Sequence, residues 1–520
     1  MARGRPAGAE GELMGHDEVP RALAMLERAT WAARAFSRYG KESVDQIVQA
    51  VGKVAAAHAE EYAERAVQET GFGVAEHKVI KNIACSQGIV DAYRDHDYVT
   101  PRVDADAKIV RVPRPAGVVL ALTPSTNPVC TVYFKILLAL MTRNAVVISP
   151  HPAAKQVCAA AARTLAEAAV AAGAPDGVVQ VVEEPSIPLI DALMTDPRTA
   201  VILATGGTAM VRSAYRSGNP ALGVGPANVP VLVDATADLA KAATRIVDSK
   251  GFDNSILCTN ESVLIAEEPI ADRLRSLLTR AGAHPLAEPD RDRVRAALFP
   301  DGRFDTGFVG KDATWIAQRA GVRVPHGTRV LLAPFDHAVP EEPLAHEKLC
   351  PVLGVIRVPS ARRGIDVARA LLRIGGAGHS AAIHSTDPRT VLAYSTDVPV
   401  LRVSVNVGNS LGSAGLETNL APSMTIGTGY FGRSSVGANL EPEHLVNWSR
   451  IAYNADPAEP FGDFAGLDPW RDPTGPVPAY PHASNLSVDR PAPEPAGDNG
   501  ELRERLRRLI REELAEMIKG

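Results

Sequence analysis

Short apolar runs alternate with helix-like segments along most of this 520-residue chain. The runs AVVISP, VVQVVEE, AVILATG and VPVLVDA have strand length and are almost wholly apolar. Strands that are buried on both faces and joined by helices are typical of parallel sheets built from βαβ units. A second rhythm of the same kind runs from about residue 241 to 420. The sequence therefore predicts an α/β protein whose sheets are covered by helices.

Composition argues against several classes of function. Apolar residues make up 46% of the chain and charged residues 22%, which is ordinary for a globular protein. The net charge of −5 gives no reason to expect nucleic acid. The most apolar window, VCTVYFKILLALM, is too short to span a bilayer and contains Lys135. The cysteines form no CxxC pair, so no metal site is expected. We predict a cytoplasmic protein without nucleic-acid or membrane partners.

The two ends of the chain differ from its middle. Residues 1–18 are predicted to be a mobile leader, and residues 454–500 are rich in Pro, Asp, Gly and Ala and are predicted to be a linker. Residues 501–520 place leucines, isoleucines and a methionine on one face of a helix. This amphipathic helix either docks on its own protein or, on its long tether, binds another molecule.

Several segments, in order over roughly residues 20–453, resemble the aldehyde dehydrogenase superfamily and its CoA-acylating branch. These segments are TPSTNPVCTVYFKILLALMTRNAVVISPHPAAK, ILATGGTAMVRSAY, SKGFDNSILCTNE, HEKLCPVLGVIRV, GGAGHSAAIHS and NLAPSMTIGTGYFGRSS. The resemblance implies a Rossmann-type NAD domain, an α/β catalytic domain and a β-arm that builds homodimers or homotetramers. The boundaries it suggests are 19–240 for the NAD domain, 241–424 for the catalytic domain, and 98–113 with 425–453 for the arm.

The resemblance implies that Cys258 is the nucleophile. Its thiolate attacks an aldehyde, and the adduct becomes a thioester after hydride transfer to NAD. The backbone N–H of Cys258 and the Asn127 amide are the implied oxyanion donors, although capping of a loop is an alternative role for Asn127. His379, in GAGHSAA, either assists the thioester and the CoA thiol or holds its loop.

Deacylation decides the function. Hydrolytic relatives use a glutamate as general base, and the matching segment ALGVGPANVPV places Val224 or Gly225 at that position. Loss of a general base typically slows a step by a factor of about 10²–10⁴. Water attack on the thioester is therefore expected to be slow, which favours coenzyme A as the acyl acceptor.

The resemblance also implies a set of NAD contacts. Gly206 and Gly207 open a helix whose N-terminus suits a pyrophosphate. Ser149 replaces a lysine of hydrolytic relatives, which should weaken binding of a 2′-phosphate. The full implied set is Thr123, Pro124, Ser149, His151, Gly206, Gly207 and Glu347, the last on the nicotinamide ribose. Lys135 matches a family lysine near the site, or it extends from its helix to solvent.

The leading hypothesis is NAD-dependent, CoA-acylating oxidation of propanal or acetaldehyde, or the reverse reduction. The alternatives are an acyl-phosphate reductase of the same fold, a dehydrogenase for a sulfonated aldehyde, a hydrolytic enzyme with another base, and an inactive scaffold. The tether and helix at 501–520 resemble the encapsulation peptides of bacterial microcompartment cargo. This resemblance implies a shell protein as partner and a microcompartment lumen as location.

Overall fold

The computed structural model describes residues 9–464, 466–467 and 469–470, and most of the predicted linker and the helix at 501–520 lie outside them. In chain order, the helices are α1 (Ala9–Phe36), α2 (Lys41–Ala57), α3 (Ala59–Thr70), α4 (Ala75–Ile83), α5 (Ile89–Ala92), α6 (Pro128–Met141), α7 (Lys155–Ala171), α8 (Ile187–Thr195), α9 (Thr208–Arg216), α10 (Leu239–Gly251), α11 (Glu268–Arg280), α12 (Glu288–Leu298), α13 (Ala313–Arg319), α14 (Ala361–Ile374), α15 (Pro388–Asp397) and α16 (Asn409–Gly412). The strands are β1 (Arg102–Asp104), β2 (Ile109–Pro115), β3 (Val118–Thr123), β4 (Ala145–Pro150), β5 (Val179–Val181), β6 (Thr199–Ala204), β7 (Ala221–Gly223), β8 (Val229–Val233), β9 (Glu261–Glu267), β10 (Ala283–Pro285), β11 (Val330–Pro334), β12 (Val352–Val358), β13 (Ala381–His384), β14 (Val403–Val405) and β15 (Val446–Ala452).

The first α/β rhythm forms a parallel sheet of five strands in the order β5-β4-β3-β6-β7. Strands β3 and β4 are buried along their whole length, because helices cover both faces of the sheet. The order runs outward in both directions from β3, as in dinucleotide-binding folds, so the strand order reverses between β3 and β6. Ligands of such sheets bind beyond the carboxyl ends of the strands at this reversal.

The second rhythm forms a parallel sheet of seven strands in the order β10-β11-β12-β9-β8-β13-β14. Its central strands β8 and β9 are wholly buried, and separate apolar clusters cover the two faces. The α/β class with parallel sheets is therefore confirmed.

The domain boundary at residue 240 needs correction. Strand β8 pairs with β9 and β13, so residues 229–233 belong to the seven-stranded sheet. The run VPVLV has the same apolar pattern as the strands of the first sheet, and the pattern does not reveal which sheet a strand joins.

A third sheet is antiparallel and has the order β1-β2-β15. It draws on both segments predicted for the arm, but its last strand begins only at Val446. The segment 425–445 contains instead short helical turns at Tyr430–Gly432 and Pro442–Leu445. Oligomerisation through this arm stays a prediction.

The predicted leader and linker are also corrected in part. Helix α1 already begins at Ala9, inside the leader. Just after β15, the Lys108 ammonium donates to the carbonyls of Asp456 (2.6 Å) and Glu459 (2.8 Å). The Trp470 indole N–H donates to the Val99 carbonyl at 2.6 Å, and its ring lies 4.3 Å from the Arg143 guanidinium carbon. The first part of the predicted linker therefore packs on the folded body. Across the described residues, no helix has the length and apolarity needed to cross a bilayer.

Candidate active site

Cys258 follows a turn of unusual backbone. Asp253, Asn254 and Ser255 have φ values of 50°, 52° and 61°, a left-handed run without glycine. Such a conformation costs roughly 1–2 kcal/mol per residue, so it persists only where neighbouring contacts hold it. The Asp253 carboxylate accepts from the Val74 N–H at 2.7 Å, and the Asn254 amide donates to the Gly310 carbonyl at 3.0 Å. This strained turn is followed by Cys258, which is half-buried and lies three residues before β9.

His379 contacts the nucleophile candidate. Its Nε2 lies 3.2 Å from Cys258 Sγ, and its Nδ1 lies 2.9 Å from Ser380 Oγ. The Asn409 amide in turn donates to Ser380 Oγ at 3.0 Å and to the Thr259 carbonyl at 2.7 Å. The imidazole is therefore fixed from behind by a hydrogen-bond chain that returns to the residue after Cys258. The His379 imidazole therefore contacts the Cys258 thiol through one nitrogen and holds its own loop through the other.

Burial keeps the thiol and the imidazole neutral. It raises the pKa of the Cys258 thiol to about 12, and the nearby Glu347 carboxylate adds to the rise. It lowers the pKa of His379 to about 3, with a contribution from the Arg402 guanidinium. Arg402 donates to the His379 carbonyl at 2.7 Å and favours the thiolate of Cys258. Without ligands, the site therefore holds a protonated thiol against an uncharged base.

Glu347 interacts electrostatically with the Cys258 thiol and with two buried lysines. Burial raises the pKa of its carboxyl to about 7, and the Lys250 and Lys348 charges oppose that rise. Lys250 and Lys348 are fully buried, and Lys348 donates to the carbonyls of Leu344 and His346, each at 2.6 Å. A carboxylate that stays partly ionised at this depth suits recognition of neutral hydroxyl groups.

The predicted cofactor residues cluster at the carboxyl ends of β3, β4 and β6. Thr123 ends β3, Ser149 lies near the end of β4, and Gly206 and Gly207 precede α9. The Ser149 hydroxyl is buried without a protein partner among the described residues. No neighbouring atom lies within 4 Å of the position that a Cβ would take on Gly206 or Gly207, so there is free space beside the N-terminus of α9. These residues fit a dinucleotide at the point where the strand order reverses.

The other predicted residues have defined local roles. Pro124 directly follows β3 and is half-buried. His151 is exposed, and its Nδ1 accepts from the Ala153 N–H at 3.1 Å. Lys135 does not reach solvent: it is buried, and its ammonium donates to the carbonyls of Leu122 (2.6 Å) and Leu203 (2.9 Å), which joins β3 to β6.

Asn127 occupies the position just before α6, but its side chain makes no capping hydrogen bond there. Its Oδ1 accepts from the Lys81 ammonium at 2.6 Å. The alternative role as a loop cap is therefore not what the side chain does. No cluster of three metal-ligating side chains occurs in the described part of the chain.

Comparison with known proteins agrees with this geometry. The model of the aldehyde dehydrogenase family matches residues 12–296, more than half of the chain. This chain belongs to the aldehyde dehydrogenase family. It is 36% identical over 439 residues to the bifunctional aldehyde-alcohol dehydrogenase AdhE of Escherichia coli. That match covers 83% of this chain and 49% of the relative, so the chain spans about half of that relative's length.

Solved structures of family members are similar over nearly their whole length. An acetylating aldehyde dehydrogenase from Geobacillus thermoglucosidasius is 36% identical with a TM-score of 0.83, covering 85% of this chain and 98% of that one. A propionaldehyde dehydrogenase from the fucose utilisation microcompartment of Clostridium phytofermentans is 27% identical with a TM-score of 0.75, covering 82% and 96%. The predicted resemblance to the acylating branch of the aldehyde dehydrogenase family is confirmed.

Val224 or Gly225 occupies the position where hydrolytic aldehyde dehydrogenases are expected to have their glutamate. The loop that carries Thr428 and Gly432 lies beside Gly225. A Cβ built on Gly225 lies 3.2 Å from Thr428 Oγ1 and 3.7 Å from the Gly432 carbonyl oxygen. Val224 is buried. A side chain at Gly225 would make a tight contact with the Thr428 side chain. Neither position carries the glutamate.

Sequence reasoning missed several polar residues around the cysteine. These are Lys78, Lys81, Asp253, Ser380, Arg402 and Asn409. All are buried and make at least one of the contacts that hold the cysteine, the histidine or the Asn127 amide. The available signal was polar residues within otherwise apolar segments, such as the two lysines three apart in EHKVIKN. That signal also fits a solvated helix face, so it does not identify them alone.

Proposed function

We propose that this protein is an NAD-dependent, CoA-acylating aldehyde dehydrogenase that acts on a short aldehyde such as propanal. The observation that carries the proposal is the Cys258–His379 contact of 3.2 Å in a chain that has no glutamate at position 224 or 225. The nucleophile and a proton acceptor are present, whereas a residue to activate water is missing from the expected place. The similarity to an acetylating aldehyde dehydrogenase and to a propionaldehyde dehydrogenase supports the same function.

The proposed reaction proceeds through a thioester on Cys258. The sulfur attacks the aldehyde carbon, its proton passes to His379 Nε2, and the oxyanion is held by the Cys258 N–H and the Asn127 amide. A bound NAD would supply the hydride acceptor, and the imidazolium releases its proton to solvent. The thiol of coenzyme A then attacks the thioester, and its proton passes to the free Nε2 and on to the departing Cys258 thiolate as the acyl-CoA forms. In total, aldehyde, NAD⁺ and CoA thiol give acyl-CoA, NADH and one proton.

The cofactor would be held by the residues at the strand ends. Gly206 and Gly207 offer the N-terminus of α9 to the pyrophosphate, and Glu347 faces the nicotinamide ribose. Thr123 and Pro124 would line the nicotinamide side, Ser149 would lie at the adenosine ribose, and His151 would border the cofactor. The absence of a lysine at Ser149 favours NAD over NADP.

The direct test measures NADH production from propanal and NAD, with and without coenzyme A, in the wild type and in Cys258→Ala. We expect turnover that requires coenzyme A and is lost in the variant. Sustained turnover of the wild type without coenzyme A contradicts the acylating assignment and indicates an activated water. Inactivity under both conditions, combined with activity on acyl phosphates, favours the acyl-phosphate reductase.

Oligomerisation and location complete the proposal. The sheet of β1, β2 and β15 exposes most of its residues, as a dimerisation arm requires, and light scattering of the purified protein tests for a dimer or tetramer. The sequence of residues 501–520 and the microcompartment source of one structural relative support a role as shell-bound cargo. A fusion of residues 454–520 to a fluorescent protein is expected to localise to the shell. Diffuse fluorescence beside intact shells contradicts the cargo role.

A further inference from the structure

We infer that Lys81 is a positioning residue of the reaction: it orients the Asn127 carboxamide as an oxyanion donor and ties it to the turn that carries Cys258. The inference rests on the proposed function, because it takes Asn127 to face the substrate oxygen. Lys81 lies on α4 and is 1% exposed. Its ammonium donates to Asn127 Oδ1 at 2.6 Å and also to the Asp253 carboxylate.

The first contact fixes which way the amide faces. An ammonium group has only donors, so it binds the oxygen of the carboxamide and never the nitrogen. Oδ1 therefore faces Lys81 on α4, and Nδ2 is the amide atom left to bind another acceptor. The contact that Nδ2 makes within the described residues, with Thr126 Oγ1 at 3.4 Å, is longer than an ordinary hydrogen bond. The amide nitrogen therefore retains its capacity to donate to a substrate oxygen.

The second contact joins this amide to the nucleophile. Asp253 lies five residues before Cys258 and opens the left-handed run of the turn. Its Oδ2 accepts from Lys78 at 3.1 Å and from Lys81, while Oδ1 accepts from the Val74 N–H. Because one ammonium group binds both Asn127 and Asp253, a shift of the cysteine turn is passed to the amide. The two halves of the oxyanion site are thus kept in register.

Charge reinforces the geometry. Two buried ammonium groups, on Lys78 and Lys81, share the single carboxylate of Asp253. The excess positive charge lies against Asn127 Oδ1 and polarises the carboxamide, which strengthens Nδ2 as a donor. In the described part of the chain, Lys78 contacts Asp253 and not Asn127. Lys78 is therefore a matched control that shares the ion pair but lacks the contact with the amide.

The test compares two reactions of Cys258 that need no cofactor. In the first, Cys258 attacks 4-nitrophenyl propionate: the S–C bond forms, the ester C–O bond breaks, 4-nitrophenolate leaves and the thiol proton goes to solvent. This reaction forms an oxyanion. In the second, iodoacetamide alkylates the thiol and no oxyanion forms. The ratio of the two rates isolates the oxyanion site from the reactivity of the thiol.

We expect Lys81→Met to slow ester acylation about 10–100-fold and alkylation by less than about threefold. In an Asn127→Ala background, Lys81→Met should change ester acylation by less than about twofold, because the amide through which it acts is gone. Lys78→Met should alter both reactions to the same extent. Equal slowing of both reactions by Lys81→Met, or additive effects of the Lys81 and Asn127 changes, overturns the inference.

Two further arms keep the result decisive. If Lys81→Met does not fold, Lys81→Gln replaces it, since the carboxamide is polar but carries no charge and is one bond shorter than the lysine side chain. A wild-type ratio of ester acylation to alkylation in that variant overturns the inference. The proposed function is judged separately by CoA-dependent NADH formation. If the Lys81 and Asn127 changes have coupled effects on ester acylation but the protein forms no NADH with coenzyme A, only the proposed function is contradicted. If the protein forms NADH with coenzyme A but the two changes have additive effects, only the inference is contradicted.

Discussion

Glu347 and Cys258 form an opposed pair at the scale of single residues. The ionised Glu347 carboxylate disfavours the Cys258 thiolate, so protonation of Glu347 lowers the pKa of the thiol. The pKa of Glu347 itself is about 7, because burial raises it and two lysines limit the rise. A ribose that hydrogen-bonds to this carboxylate would draw its charge away from the sulfur, so cofactor binding and activation of the nucleophile are linked through one residue.

This opposition predicts the pH dependence of alkylation. Since the thiol pKa is raised to about 12, the rate of iodoacetamide alkylation in the ligand-free enzyme should still rise with pH above pH 9. Glu347→Gln should shift that profile toward lower pH, because each unit of pKa lowering gives about ten times more thiolate below the pKa. Stopped samples analysed by mass spectrometry measure both profiles. A plateau near neutral pH in the wild type, or no shift in the variant, is evidence against the pairing.

At the scale of elements, the loop from Thr425 to Gly437 closes the catalytic face. Gly378 has φ of +82°, and a Cβ built on it lies 1.8 Å from the Thr428 carbonyl oxygen. The residue that follows Gly378 is His379, so this loop packs beside the backbone that carries the imidazole. Thr428 and Gly432 also lie close to Gly225.

This close approach predicts a strong position-specific effect. Gly378→Ala should lower the free energy of unfolding by about 2–4 kcal/mol, since both the backbone strain and the clash must be relieved. Gly375→Ala is the matched control: no atom lies within 4 Å of its built Cβ, and its φ of −171° is open to any residue. That change should stay within about 0.5 kcal/mol. Thermal unfolding of both variants decides, and equal midpoints contradict the proposed contact.

The elements also show what the sequence can and cannot predict. Buried strands and covering helices follow from apolar runs, because a strand buried on both faces has no polar side to display. The sequence does not predict which sheet β8 joins, because the apolar run VPVLV would suit either sheet. The left-handed turn that begins at Asp253 cannot be predicted from the sequence. Such a backbone usually requires glycine, and here long-range contacts impose it on other residues. Cys258, Glu347 and His379 were found through motif resemblance, whereas the Lys81 contacts depend on residues 46 and 172 positions away.

At the scale of the whole molecule, the chain continues past β15 and returns to the first domain. Arg143 is fully buried, and its guanidinium donates to the carbonyls of Ser37 (2.9 Å) and Pro113 (3.0 Å). Trp470 covers this guanidinium and bonds to Val99. The chain thus packs on the folded body as far as residue 470, the last residue that the structure describes.

This arrangement predicts where the chain can be shortened. A protein ending at residue 470 should unfold at a higher temperature than one ending at residue 453, because it keeps the contacts of Lys108 and Trp470. Trp470→Ala should lower the free energy of unfolding by about 1–3 kcal/mol, because the ring stacked on Arg143 and a hydrogen bond are both lost. Trp470→Phe keeps an aromatic face and loses the N–H donor, so it should cost about 1 kcal/mol. If Trp470→Ala unfolds like the full chain while a protein ending at residue 453 is destabilised, the contacts of Lys108 hold this segment and the indole does not.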